Sequence, residues 1–111
     1  MIGIDKELKA AEAARAALST NSNSKETIKV LREAKYIAAL AMTTSASDKP
    51  LNDARHAVVT TLSDLVKALE TDPTSQPEKI EKAKDAIRNL LWDLKAIQEL
   101  RLRRLAEGDQ L

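Results

Sequence analysis

His56 is the one imidazole in this 111-residue chain, so it is the first residue to examine for proton or phosphoryl chemistry. A single histidine cannot supply the several ligands of a histidine-built metal site. With no cysteine anywhere, thiolate sites and disulfides are excluded as well. No Glu-x-x-His spacing occurs, so the carboxylate-bridged metal pair found in some helical bundles has no ligand set here. Glu78, Glu81 and Asp85 alternate with lysines at helical pairing distance, the pattern of a solvated face rather than of an acid and a base held together. Two glycines in the whole chain leave no Gly-rich phosphate loop. The expectation is a protein without cofactor or metal, and nothing in these residues argues for an enzyme.

On a helical wheel His56 lies about 150° from the apolar stripe of its segment, beside Thr60, Ser63 and Lys67, and so faces solvent. An exposed mid-helix histidine is where phosphotransfer bundles and histidine-kinase dimerisation domains carry their phospho-acceptor. The string His56-Ala57-Val58-Val59-Thr60-Thr61-Leu62 resembles the His-x-x-x-Thr-x-Leu spacing of the kinase motif. It departs from that motif at Ala57, where the family has an acid, and at Thr61, where it has a proline. The resemblance covers about seven residues and implies phosphotransfer at His56. This is kept as an alternative to a plain surface histidine.

Trp92 is the more informative side chain. It falls about 150° from the apolar stripe of the last segment, on a face shared with Arg88, Ala96, Glu99 and Arg103, with Leu100 nearby. Either the indole lies flat over the Arg88 stem and Ala96, or it anchors a protein partner or a second copy. Tyr36 and Leu40 make a similar outward pair earlier in the chain. Arg101, Arg103 and Arg104 are the one concentrated positive cluster, placed where cations favour a helix C-terminus, and form a weak anion site at most. The net charge of +1 and the lack of interleaved aromatics argue against nucleic acid.

These residues need elements to hold them. Hydrophobic residues make up 43% and charged residues 32%, which suits a globular helical domain. With one Trp, one Tyr and no Phe, the core must be built from Leu, Ile, Val and Ala. Polar breaks at Ser19–Asn23, Thr44–Asp48 and Thr71–Ser75 divide the chain into four segments of helical period. Asn23, Asp48 with Pro50, and Ser75 with Glu78 supply caps, and Gly108 a stop. The predicted helices run about 5–18, 24–43, 50–70 and 76–107. Their inward stripes are Ile4, Leu8, Ala11, Ala14 and Leu18; then Ile28, Leu31, Ala34, Ala38, Ala41 and Met42, widened by Val30 and Ile37. The third is Leu51, Ala54, Val58, Leu62, Leu65 and Leu69, and the fourth Ile80, Ala83, Ile87, Leu90, Leu94 and Ile97.

Short connections make each helix run against its predecessor, so the expected fold is all-α, a single-domain antiparallel up-down-up-down four-helix bundle with a long C-terminal helix. At 1.5 Å per residue that helix spans about 48 Å against about 30 Å for the second and third, so its end overhangs the bundle or lies against Ile2 and Ile4. The expected function is a non-enzymatic interaction or scaffold protein working through helices 4 and 2, by a protein partner or self-association. A second reading is a small molecule bound within an alanine-lined interior, and phosphotransfer at His56 is the third. The apolar runs are too interrupted to span a bilayer, and residues 1–6 do not form a secretory leader, so a cytoplasmic setting is expected. The lack of cysteine and the regular caps fit an engineered sequence, while the pairs Thr43-Thr44 and Thr60-Thr61 fit one poorly.

Overall fold

Leucine, isoleucine and alanine repeating every three or four residues give each segment one apolar stripe. In the computed structural model the four stripes close on one another. The structure describes residues 4–19, 25–44, 49–72 and 77–106, and the elements are α1 (Ile4–Ser19), α2 (Lys25–Thr44), α3 (Lys49–Thr71) and α4 (Pro77–Ala106). Each boundary lies within one residue of the sequence reading. Ser19 and Thr71, assigned above to the breaks, are the last residues of their helices. Their hydroxyls donate to the carbonyls of Arg15 and Lys67, each at 3.0 Å, which lets a polar residue finish a turn instead of stopping it. Thr43 in the last turn of α2 and Thr61 in the middle of α3 are accommodated in the same way, donating to the Leu40 carbonyl at 2.7 Å and to that of Ala57 at 2.8 Å. The caps assigned to Asn23, Asp48 and Ser75, and the stop at Gly108, lie outside the described residues.

Each helix packs on two others, in the ring α1–α2–α3–α4 and back to α1, so α1 and α3 are diagonal, as are α2 and α4. Polar contacts give the directions. Arg32, early in α2, pairs with Glu70 at the end of α3. Gln98, late in α4, donates to Asp5 at the start of α1 at 3.1 Å. Glu7 and Arg55, both early in their helices, meet across the α1–α3 diagonal. Neighbouring helices therefore run in opposite directions and diagonal ones in the same direction, the up-down-up-down arrangement. The bundle measures 52 × 25 × 21 Å. At 1.5 Å per residue the thirty residues of α4 span about 45 Å.

The centre of the core is Leu31, Val58, Leu62, Leu65, Ile87, Leu90 and Leu94, all fully enclosed. Ala11, Ala14, Ala34, Ala38 and Ala83 pack in the same cluster, where a methyl rather than a larger group lets backbones approach. Ile4, Ile28, Ala54, Ile80 and Ile97 sit at its edge, half-buried, and Met42 is half-buried too. Val66, Ala86 and Leu91 are buried although absent from the predicted stripes. They widen the stripes of α3 and α4 because each of those helices has two neighbours.

Truncation at the centre should cost the transfer term plus the cavity left behind. Leu62→Ala is expected to lower stability by about 2–5 kcal/mol, and Ala14→Leu, which overfills a site with no spare volume, by about 1–3 kcal/mol. Urea midpoints at constant m-value measure both.

Candidate functional site

Trp92 occupies the outermost line of α4. Leu90 and Leu94, two positions to either side on the opposite face of this helix, and the adjacent Leu91 fill the core, so helical geometry turns the indole outward. It is 77% exposed, so little of the indole is covered. The Arg88 guanidinium turns back one turn to Asp85, at 3.0 Å. Ala96 is exposed beside it, and Leu100 follows at 46% exposure. Further on, Leu102 and Leu105 are 60% and 71% exposed, on the part of α4 that extends past the Asp5–Gln98 contact. Among the described residues, four of the five large exposed hydrophobic side chains belong to α4 between 92 and 105; the fifth is Tyr36.

The structure does not bring the two sequence-derived faces together. α2 and α4 are diagonal, and Tyr36 and Trp92 each point away from the core at their own corner. Tyr36 projects, but Leu40 does not form an outward pair with it. Leu40 is half-buried, because one turn of α2 rotates it toward the seam with a neighbouring helix. Arg101 and Arg103 are exposed, with Arg103 donating to Glu99 at 3.3 Å; the Arg104 side chain lies outside the described residues. His56 is exposed near the middle of α3, with Thr60 exposed one turn on.

The sequence reading missed one polar cluster altogether. Arg55 and Glu7 are buried, and they meet in a two-pronged ion pair: Arg55 Nε donates to one Glu7 oxygen and an Arg55 terminal nitrogen to the other, both at 2.7 Å. The second terminal nitrogen donates to Asn52 Oδ1 at 3.0 Å. No buried side-chain nitrogen or oxygen among the described residues lacks a partner. A signal was present. Arg55 lies four residues after Leu51 and three before Val58, and Glu7 lies three after Ile4 and four before Ala11, so both occupy inward positions. Two opposite charges on two apolar stripes were the clue. Glu7 and Arg55 are almost wholly removed from water, and Asn52 lies half-buried at the edge of the cluster.

Several clefts open on the surface among the described residues. The most apolar lies along the α1–α2 seam, about 460 Å³, walled by Ala10, Ala13, Val30 and Ile37 with Lys6 and Glu33 at its rim. Another of about 500 Å³ lies where α2 begins and α3 ends, around Ile28, Arg32 and Glu70. A third, about 260 Å³, is a polar cleft at the start of α4, beside Thr61 and Asp64. No group of three or more metal-ligating side chains occurs among the described residues, and no helix there is long and apolar enough to cross a membrane.

Two outcomes are expected. Trp92, the single tryptophan, should fluoresce as a hydrated indole and be quenched freely by acrylamide in the isolated chain. Acetyl phosphate should leave no phosphohistidine, because no acid follows His56; label lost in His56→Ala would reverse that assignment. No protein-family model matches the chain, and neither a curated protein nor a solved structure is significantly similar to it.

Proposed function

We propose that the protein is a non-enzymatic interaction or scaffold bundle whose working surface is the outer side of α4, centred on Trp92 with Arg88, Ala96 and Leu100. Tyr36 marks a second, smaller face on α2 at the opposite corner, with Leu40 half-buried at its edge. The observation that carries the reading is the indole of Trp92, 77% exposed on a helix whose core stripe is already complete. Burying an exposed Trp or Leu on association is favourable, and Trp and Arg dominate interface energies. Scattered exposed hydrophobics need no explanation, but a concentration of them along one helix does.

The occupant is a protein, either a partner or a second copy. Net charge near zero gives no long-range attraction to nucleic acid, and the exposed Arg101 and Arg103 are few and close to a helix end where the dipole favours them. A cytoplasmic setting goes with this reading. The interior-ligand reading has less behind it, since the inner alanines share one packed cluster with Leu31, Leu62 and Leu90. Phosphotransfer rests on the exposure of His56 and the seven-residue spacing from His56 to Leu62, which lacks the acid and the proline of the kinase motif.

Sedimentation over a concentration series, together with crosslinking in the source extract, tests the proposal. Trp92→Ala should weaken whatever association is found by about 2 kcal/mol or more, roughly thirtyfold in Kd, while Leu62-type core stability stays unchanged. A chain that is monomeric throughout, and that retains no protein which Trp92→Ala loses, would end the proposal.

A further inference from the structure

Helix α1 is the element least able to fix its own position. It is the shortest, at 16 residues, and buries Leu8, Ala11, Ala14 and Leu18. Two methyls in the middle of the stripe fit a groove at more than one height, because an alanine knob distinguishes poorly between neighbouring holes. On its outer side the α1–α2 seam opens into a solvent-facing groove walled by Ala10, Ala13, Val30 and Ile37, so there α1 offers α2 alanine methyls and no larger interlocking apolar side chain. Apolar packing alone therefore opposes weakly a slide of α1 along α2 and α4.

Glu7 and Arg55 oppose it strongly. They reach across the diagonal between helices that share no backbone contact, and both bonds are 2.7 Å long with the ions 2% and 3% exposed. A slide by one turn, about 5.4 Å, would part the two groups and leave a bare carboxylate and a bare guanidinium in an apolar interior. We propose that the Glu7–Arg55 pair is a register lock, which selects one axial position of α1 and adds little net stability over an apolar pair of the same size. Desolvating two ions offsets most of their attraction, whereas separating them is costly, so the pair penalises wrong arrangements far more than it favours the right one. The register has an external consequence: with Asp5 held beside Gln98, α1 stops short of Leu102 and Leu105 and leaves them bare.

The chain has no cysteine, so spin labels can be placed on introduced cysteines at the exposed Lys9 of α1 and Lys95 of α4. In the native background one inter-label distance is expected. Glu7→Met and Arg55→Met alone should each lower the folding equilibrium constant by roughly two to three orders of magnitude, since each strands one buried ion. The double variant Glu7→Met/Arg55→Met should return to within about tenfold of the native constant or exceed it, and show a second distance displaced by up to about 5 Å. The reversed pair Glu7→Arg/Arg55→Glu should restore a single distance. A double variant that keeps one distance, or that is as unstable as the single variants or fails to fold, overturns the proposal.

Discussion

Burial of four leucine- and alanine-rich stripes is the constraint from which the remaining features of the molecule follow. No stripe can be shielded by its own helix, and without phenylalanine the interior is filled by branched aliphatic side chains around Leu31, Leu62, Leu65, Ile87, Leu90 and Leu94. Because that core is complete, side chains outside it can be judged against it. Trp92 and Tyr36 lie outside the enclosed cluster and are largely exposed.

Into this interior the chain places one ion pair. The surface pairs Lys49–Asp53, Glu81–Lys84 and Arg88–Asp85 are exposed, close in sequence and worth a few tenths of a kcal/mol each. Glu7–Arg55 differs in kind, being distant in sequence and removed from water. Asn52 takes up the remaining guanidinium nitrogen, so each of the three nitrogens of Arg55 has a partner. Arginine suits this position because its planar fork meets a carboxylate at two points at once, something a lysine could not do.

The unequal helix lengths shape the exterior. The first turn of α1 meets α4 where Asp5 accepts from Gln98, whereas α4 continues to Ala106, so Leu102 and Leu105 lie beyond that contact. Trp92 and Tyr36 lie at opposite corners, since α2 and α4 touch α1 and α3 but not each other.

Local sequence determined the helices, their boundaries to within a residue and most of their inward faces, because a 3.6-residue period and polar breaks are properties of neighbouring residues. It also placed Trp92, His56 and Tyr36 outside, since each lies far around its helix from a long apolar stripe. What it left open were contacts between helices: that Leu40 turns into a seam, that Val66 and Leu91 are covered, and that Glu7 finds Arg55 forty-eight residues away. A charge at an inward position is tolerable only if its counter-ion arrives at the same height from another helix. That coincidence depends on how the helices are arranged around the core and how far each is shifted along its neighbours, which tertiary packing alone decides.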